Sequence, residues 1–464
     1  MIKQEEDNKK KMVHTFEKFG LKIVVDVASG SIFTVDSVAY EVIKYYKENG
    51  SFDGVEDALE FDKQQIAEAV FEVKSLIEQG VLFSEDNYKD MNLIEKRNPV
   101  IKAMCLHVAH DCDLRCRYCF ASSGSFKQER KLMSFDVGKK AIDFLLQNSG
   151  SRQNLEVDFF GGEPLLNFDV VKKIVEYARE EEKKYNKKIS FTLTTNATNL
   201  SDDIIEYLNQ NIENVVLSHD GRPQVNDFMR IDRNGNGTYS KITNNILRFI
   251  QKRNGKTYYV RGTFTAKNLD FSKDVLHLYS LGIKEISVEP VVLDKSSPWA
   301  IRESHIERIK EEYDILAEEY INAKLKGEGF SFFHFNIDLT GGPCVSKRLS
   351  GCGAGFEYVA VDPVGNIFPC HQFVDKPDFK IGDVFKGLQR FDLVEEFKKN
   401  TVYEKDECSK CWARFYCSGG CAAANYNMNG DVKKSYIVGC ELERKRVENA
   451  IAIKLYLMEK GIES

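Results

Sequence analysis

HVAHDCDLRCRYCFAS, residues 107–122, is the stretch on which the interpretation of this chain depends. It places Cys112, Cys116 and Cys119 in a C-x3-C-x2-C arrangement directly after an apolar, strand-like segment. Three thiolates on one short loop are suited to holding an iron–sulfur cube, and three ligands leave its fourth iron open to a small molecule. A zinc site completed by His107 or His110 is the alternative that the spacing alone leaves open.

Strands and helices alternate after this stretch. Strands are predicted at 103–108, 155–160, 189–194, 214–218, 258–264 and 284–289, with helices near 134–148, 168–186, 201–210, 238–253, 271–281 and 303–326. The alternation predicts an α/β fold with parallel strands, and six units favour a partial (β/α)6 TIM-like barrel over 100–330. Chemistry in such folds lies on the loops after the strands, where the cysteine loop falls.

The segment before the barrel, 1–90, contains no cysteine and is predicted to form a separate small unit. Residues 21–26 and 31–35 alternate like the strands of a hairpin, and helices are predicted over 36–50 and 62–80. A short returning strand is expected at 81–83. Hairpin, helices and strand together are typical of a winged helix-turn-helix. Because the segment is not strongly basic, DNA binding is the minor interpretation.

Eight of the twelve cysteines follow residue 340. Regular alternation ends there, so we expect a third unit over 340–450 that metal clusters stabilise, followed by a helix over 451–464. Its ordered array comprises Cys352, Cys370, Cys408, Cys411, Cys417, Cys421 and Cys440. Cys344 lies upstream, and Cys105, within a predicted strand, is expected to be a buried unligated thiol.

Bulk properties indicate the partners and the cellular compartment to expect for this cysteine-rich chain. The net charge of −6 gives no reason to expect nucleic acid or an anionic membrane as partner, and no apolar run approaches the length of a membrane span. The N-terminal residues lack the apolar region of a secretory signal, so a cytoplasmic protein is expected. Clustered cysteines there are metal ligands more often than disulfides.

The motif CDLRCRYCF resembles the signature of the radical S-adenosylmethionine (SAM) superfamily, with Tyr118 as the aromatic residue before its last cysteine. FFGGEPLL at 159–166 resembles the GGE element of that family. The glycines are expected to let backbone carbonyls approach a ligand. The resemblance implies a [4Fe-4S] cluster on the three cysteines and these SAM contacts: Tyr118, Gly161, Gly162, Glu163, Asn196, Ser218, Asp220 and Arg230.

Asp220 and Glu289 also have structural interpretations. The segment around Asp220 resembles the family pattern S-x-DGP, but Arg222 intervenes before Pro223, and turn capping is an equal interpretation for Asp220. Glu289, after the last strong strand, is more typical of a structural salt bridge than of a SAM contact.

The cysteine array after residue 350 resembles the SPASM domain of radical SAM enzymes that modify peptides. The resemblance implies two auxiliary [4Fe-4S] clusters, three in all with the SAM cluster. Cluster I would take Cys352, Cys370 and Cys421, with Cys344 or an open iron as the fourth position. Cluster II would take Cys408, Cys411, Cys417 and Cys440.

The N-terminal unit resembles the recognition element that binds leader peptides of ribosomal precursors, with 31–35 and 63–79 lining the groove. The whole chain most resembles the thioether-forming (sactipeptide-type) maturases of six-cysteines-in-forty-five peptides. The resemblance implies a Cys-rich precursor peptide as substrate and flavodoxin or ferredoxin as reductant. A 5′-deoxyadenosyl radical would abstract hydrogen from an acceptor α-carbon, which a cysteine sulfur then joins. The alternatives are formylglycine formation, a carbon–carbon crosslink and a non-enzymatic electron carrier or zinc-stabilised scaffold.

Overall fold

The computed structural model describes residues 12–89, 99–339 and 344–462. The parts of the predicted units at 1–11, at 90, at 340–343 and at 463–464 lie outside these described residues.

The N-terminal unit is a three-stranded antiparallel sheet covered by helices. Its strands are β1 (Val13–Lys18), β2 (Leu21–Asp26) and β3 (Ile32–Val35), in the order β1-β2-β3, and its helices are α1 (Ser37–Asn49), α2 (Val55–Ala58) and α3 (Lys63–Glu78). The hairpin and both predicted helices are confirmed, whereas β1 was not foreseen. The cap of α1 is the Asp36 carboxylate, which accepts from the N–H of Ala39.

The strand predicted at 81–83 is wrong. The backbone N–H groups of Val81 and Leu82 both donate to the carbonyl of Leu76, at the end of α3, so these residues continue the helix end as a turn. Directly afterwards, the backbone N–H of Ser84 donates to the buried carboxylate of Asp26 at 3.0 Å. Hydrogen bonds that a strand would have made to a sheet are therefore made to a helix and a side chain.

The predicted barrel forms with nearly the predicted boundaries. Its parallel strands are β4 (Ala103–Ala109), β5 (Asn154–Gly161), β6 (Lys188–Thr195), β7 (Asn214–Ser218), β8 (Tyr258–Phe264) and β9 (Glu285–Pro290), adjacent in chain order. The connecting helices are α4 (Phe135–Gln147), α5 (Phe168–Tyr185), α6 (Asp202–Asn211), α7 (Pro223–Met229), α8 (Tyr239–Gln251), α9 (Ser272–Ser280) and α10 (Ile306–Leu325).

Alternation within each strand separates the packed outside of the barrel from its interior. In β5, Leu155, Val157 and Phe159 are fully buried in the core under the helices, while Asp158 and Phe160 on the other face are partly accessible. A period of two places these two sets on opposite faces of the sheet. The interior is therefore an accessible, partly polar lumen rather than a closed apolar core.

The cysteine-rich segment continues the barrel sheet, which the sequence did not predict. Strand β10 (Ser331–Phe332) pairs with β9, and at the other edge β11 (Tyr358–Val361) pairs in parallel with β4. Antiparallel strands β12 (Asn366–Phe368), β13 (Gly382–Asp383) and β14 (Gly387–Leu388) extend it to eleven strands. The added strands are two to four residues long, too short for alternation to reveal.

The remaining helices are α11 (Val345–Ser350), α12 (Phe391–Lys399), α13 (Asp406–Ser409), α14 (Arg414–Cys417), α15 (Ala422–Asn429) and α16 (Ile437–Glu459). Helix α16 begins at Ile437, not at residue 451 as predicted, so Cys440 lies within it. Its Val447 and Ile451 pack against Ile23 and Val25 of β2, and it also packs along α10. Among the described residues, none of the helices combines the length and apolarity of a membrane span.

A buried ion pair between Arg414 and Asp86 joins the cysteine-rich segment to the N-terminal unit. The Nη2 atom of Arg414 donates to Asp86 at 2.5 Å, and the hydroxyl of Tyr403 donates to the same carboxylate at 2.9 Å. The Arg414 side chain is only 2% exposed. A buried guanidinium of this kind depends on its carboxylate for compensation.

Replacing Asp86 with alanine is expected to lower the free energy of unfolding by about 3–5 kcal/mol, because it leaves Arg414 buried without its counter-charge. The measurement is thermal or chemical unfolding of the anaerobic protein. Asp57→Ala, which removes the carboxylate of the exposed Lys63–Asp57 pair, is the matched control and is expected to change stability little. Equal effects of the two substitutions would contradict a stabilising role for the Asp86–Arg414 ion pair.

Candidate functional site

The cysteine loop follows β4 and is held by backbone pairing on its far side. The N–H of Arg115 donates to the carbonyl of Ile231 at 2.7 Å, and the N–H of Arg117 donates to that of Met229 at 2.9 Å. The segment after α7 therefore fixes the middle of the C-x3-C-x2-C motif. The loop position does not depend on a bound group alone.

The two glycines after β5 press against this loop from the other side. The N–H of Gly162 donates to the carbonyl of Ala109, and the N–H of Glu163 donates to that of Asp111, at 2.8 and 2.9 Å. A Cβ on Gly162 would lie 2.2 Å from the Asp111 carbonyl oxygen. The space that the glycines leave is thus filled by the backbone of the cysteine loop itself, a reason for these glycines that the sequence analysis did not give.

Glu163 joins the ends of β5 and β6. Its carboxylate accepts from the hydroxyl of Thr195 and the N–H of Asn196, both at 2.7 Å, and from the N–H of Leu165 at 3.1 Å. Burial raises the pKa of Glu163 to about 7, although these hydrogen bonds favour the ionised form. Its carboxylate is therefore fully engaged within the protein.

Asp113, inside the cysteine motif, is a central residue of the site that sequence reasoning missed. Its carboxylate accepts from the amide of Asn196 at 2.6 Å, the hydroxyl of Thr198 at 2.5 Å and the amide of Asn199 at 2.9 Å. The Asn196 amide also lies 3.7 Å from the Cys112 sulfur. Asp113 therefore ties the cysteine loop to the segment after β6. The polar run TTNATN was the only available signal for such a partner.

Tyr118, Asp220 and Arg230 form one buried chain beside the cysteines. The Tyr118 hydroxyl donates to Asp220 at 2.7 Å and accepts from Arg230 Nη1 at 3.0 Å. Burial raises the pKa of Tyr118, so the phenol stays neutral. The Nε atom of Arg230 is buried without a hydrogen-bond partner among the described residues. Three predicted site residues are thus together, and one of them keeps an unused donor.

Arg222, which interrupts the family pattern, has a structural role. It directly precedes α7, and its guanidinium donates to Asp274 at 2.7 Å and to Asp270 at 2.8 Å. This fork fixes the loop after β7 to helix α9. The Asp220 carboxylate accepts from the Tyr118 hydroxyl and from the backbone N–H of Thr263 in β8. Ser218 ends β7 beside Arg261 of β8.

The barrel lumen carries charged side chains at some distance from the cysteines. Glu289 pairs with His334 at 3.1 Å and with Arg446 of α16 at 3.7 Å, which confirms the structural salt bridge expected for it. Asp158 lies deeper in the lumen, where burial raises its pKa to about 6 and Thr192 donates a hydrogen bond to it. Arg261 is the most accessible of these charges, with 57% of its side chain exposed.

The thiols of the cysteine loop suit a positively charged cluster. Burial raises the pKa of Cys112 to about 12 and that of Cys116 to about 11, and the charges of Cys116 and Cys119 respectively raise them further. Such grouped thiols become thiolates only when a cation compensates them, which is the situation of iron–sulfur ligands. The side chains present therefore fit an iron–sulfur cluster.

The histidines of the zinc alternative are engaged with each other. His107 Nδ1 and His110 Nε2 are 3.1 Å apart, and both rings pack on Phe126 in the buried interior. Burial lowers the pKa of His110 to about 4, so the ring is neutral. Their positions are explained by packing and by this hydrogen bond.

Four of the later cysteines converge on one cavity. Cys408, Cys411, Cys417 and Cys440 all line it, although Cys440 comes from α16 and the others from the segment around α13 and α14. Burial raises the pKa of Cys417 to about 12, and the charges of Cys440 and Cys408 raise it further. These are the four residues that the sequence predicted as the ligands of cluster II.

The predicted ligands of cluster I form a second group. After burial, the Cys421 charge is the largest influence raising the pKa of Cys370, and it also raises that of Cys352. Cys344 is exposed at the start of α11. Cys105 is buried in β4, as expected, where the hydroxyl of Tyr358 is its hydrogen-bond partner. Cys421 is therefore close enough to Cys370 and Cys352 for its charge to affect both thiols.

The chain is similar to several known proteins. A family described as a 4Fe-4S single cluster domain matches residues 102–242. The chain is 22% identical to the radical SAM cyclopropyl synthase TigE of Paramaledivibacter caminithermalis over 91% of its own length and 90% of that protein. It is 25% identical to a cysteine-type anaerobic sulfatase-maturating enzyme of Clostridium novyi over 67% of its length and 85% of that protein.

A third relative is the uncharacterized protein MJ0907 of Methanocaldococcus jannaschii, 32% identical over 41% of this chain; the chain spans 62% of that protein's length. Among solved structures, native anSMEcpe with bound AdoMet superposes with a TM-score of 0.65 at 20% identity, covering 77% of this chain and 99% of that one. Streptococcus suis SuiB bound to S-adenosylmethionine gives 0.51 at 16% identity, covering 92% and 98%. These likenesses confirm the barrel fold.

We expect Asp113→Ala to lower the iron content of the cysteine loop and to weaken SAM binding by about tenfold or more, because the loop loses three hydrogen bonds to the segment after β6. Iron analysis and equilibrium dialysis with SAM measure both effects. Asp136→Ala, on the exposed first turn of α4, is the control. Unchanged iron and SAM affinity in the Asp113 variant would refute this role.

The raised pKa of Asp158 predicts a pH-dependent stability. The folded state keeps the proton up to about pH 6, whereas an unfolded aspartate loses it near 4, so the free energy of unfolding falls between these values as pH rises. Asp158→Asn should therefore gain stability relative to wild type between pH 5 and pH 7.5, by about 1–2 kcal/mol. Unfolding at both pH values tests this, with exposed Asp57→Asn as control. A pH-independent difference would contradict it.

Proposed function

We propose that this radical SAM enzyme of the SPASM-type maturase family joins a cysteine sulfur to an acceptor α-carbon in a ribosomally synthesised precursor peptide in the cytosol. The observation that carries the proposal is the arrangement of the thiols: one loop of three cysteines at the barrel mouth and two further groups in the segment that extends the same sheet. The full-length similarity to a radical SAM peptide enzyme supports it.

Cys112, Cys116 and Cys119 would hold the cluster that binds SAM. When both are bound, the cluster and SAM supply a one-electron reductive cleavage of SAM that yields a 5′-deoxyadenosyl radical. Arg230 has a buried, unused Nε donor beside Tyr118, suited to the carboxylate of the methionine part. The other proposed SAM contacts are Tyr118, Gly161, Gly162, Glu163, Asn196, Ser218 and Asp220.

Two auxiliary [4Fe-4S] clusters would bring the total to three. Cys408, Cys411, Cys417 and Cys440 give one a complete set of ligands. Cys352, Cys370 and Cys421 give the other three, with Cys344 or a substrate thiolate as the fourth. Forming the crosslink removes one hydrogen atom from carbon, one proton from the thiol and one electron. The reaction therefore needs an electron acceptor, and the auxiliary clusters would accept that electron. Flavodoxin or ferredoxin would supply the electron for SAM.

The N-terminal unit would bind the leader of the precursor peptide. Within the described residues, β3 is paired only with β2, so its other edge has N–H and C=O groups for an added strand. Helix α3 exposes Phe71, 75% accessible, as an apolar contact. Such an edge and a nearby apolar side chain are the two features that strand addition uses.

The accessible lumen would receive the segment to be modified. Asp158, Thr192 and Arg261 give it polar groups that hydrogen-bond a peptide backbone in an extended conformation. The outward faces of the same strands are packed under helices, so the lumen side is where the cysteine loop and an incoming peptide would meet. These residues would orient the acceptor; the hydrogen abstraction itself needs no general base.

A carbon–carbon crosslink is the second candidate, and one observation favours it. The similarity to the cyclopropyl synthase covers nine-tenths of both chains. The similarity to the sulfatase-maturating enzyme covers 67% of this chain. Formylglycine formation is therefore the weaker alternative, because that match leaves about a third of this chain without a counterpart.

The test is anaerobic reconstitution with iron and sulfide, followed by SAM, dithionite and a short cysteine-rich peptide encoded beside this gene. We expect 5′-deoxyadenosine and a peptide lighter by two hydrogens per bridge, with one thiol lost to alkylation at each bridge. Cys116→Ala should abolish 5′-deoxyadenosine formation, whereas Cys105→Ala, in the buried strand, should retain it.

The alkylation result separates the two candidates. A mass loss with every peptide thiol still alkylated would contradict a thioether and favour a carbon–carbon bond. Absence of 5′-deoxyadenosine from the iron-loaded wild-type enzyme would contradict both.

A further inference from the structure

Lys405 is a buried cation in the cysteine-rich segment. It directly precedes α13 and is only 3% exposed, which is rare for lysine. Its Nζ atom donates to the carbonyl of Gly419 at 2.7 Å. Gly419 adopts a φ of +85°, and a Cβ there would lie 3.0 Å from the same Nζ atom. The backbone at Gly419 thus forms the binding position of the ammonium group.

The residue that accepts from this ammonium, Gly419, lines two neighbouring cavities: one contains Cys408, Cys411, Cys417 and Cys440, and the other contains Cys421. Burial lowers the pKa of Lys405, and the thiolates of four cysteines oppose that effect by raising it: Cys408, Cys417, Cys421 and Cys440. Cys421 belongs to the proposed ligands of cluster I, and the other three belong to those of cluster II. Lys405 therefore lies within electrostatic reach of both groups.

Arg444, another basic side chain close to these thiols, differs from Lys405 because it is paired with a carboxylate. Arg444 of α16 lies 3.9 Å from the sulfur of Cys411, a ligand of cluster II only, and its charge is already paired with Glu441. Lys405, in contrast, is held by a neutral carbonyl. A buried cation is costly unless anionic groups compensate it, and thiolate-bound clusters are such groups.

We propose that Lys405 raises the reduction potentials of both auxiliary clusters. Its single charge thereby keeps both potentials suited to accepting the electron that leaves the substrate. A cation stabilises the more negative, reduced form of each cluster, and the effect is strong because water is excluded. The inference rests on the proposed function, since it requires both clusters. Lys405 acts through space and is not a catalytic residue.

Anaerobic potentiometry of the full-length, iron-loaded enzyme tests the proposal, with the auxiliary clusters monitored by their electron paramagnetic resonance signals. Lys405→Met and Lys405→Gln should both shift the two auxiliary potentials to more negative values, while Lys405→Arg should stay close to wild type. Lys410→Met, at an exposed lysine between Cys408 and Cys411, is the matched control and should shift them less, because water screens its charge.

Iron and sulfide content separates this inference from the proposed function. If wild type lacks auxiliary clusters, the proposed function fails first. With clusters present, auxiliary potentials in both neutral variants that move no more than in Lys410→Met would overturn the role of Lys405. Loss of iron from both neutral variants but not from Lys405→Arg would support a required charge, and loss from all three would make Lys405 a packing residue and overturn the inference.

Discussion

The close approach of two backbones determines the site. Gly161 and Gly162 lie so near the carbonyls of Ala109 and Asp111 that no side chain fits between them. The cysteine loop is thereby fixed to the end of the parallel sheet by main-chain contacts, which leave its thiols free for ligation. Side chains then brace the loop from within, since Asp113 and Glu163 tie it to the segment after β6.

The same sheet links the barrel to the cysteine-rich segment. Strand β11 pairs directly with β4, and Cys370 follows β12, one strand further along. The first cysteine loop and a proposed ligand of cluster I are therefore connected by hydrogen-bonded strands rather than by a flexible linker. Backbone paired in this way would keep the separation of the two proposed clusters constant.

Periodicity explains what could be predicted. Strands β5 to β8 alternate between buried and accessible residues, so their positions followed from the sequence. The first cysteine motif followed from its spacing, whereas the division of the later cysteines into two groups was implied by the resemblance to the SPASM domain. Strands β11 to β14 are too short to alternate, and the early start of α16 is masked by its polar run around Arg444 and Arg446. Asp113 and Lys405 could not be found, because a single charged residue reveals its burial only through its neighbours in space.

Helix α16 contributes to two distant parts of the molecule. One end carries Cys440 into a cysteine group, and its middle covers β2 of the N-terminal unit with Val447 and Ile451. During synthesis on the ribosome, the N-terminal sheet emerges more than four hundred residues before this helix. Its apolar face at Ile23 and Val25 therefore stays exposed to solvent through most of translation, and the cavity lined by Cys408, Cys411, Cys417 and Cys440 is complete only after this helix has been made.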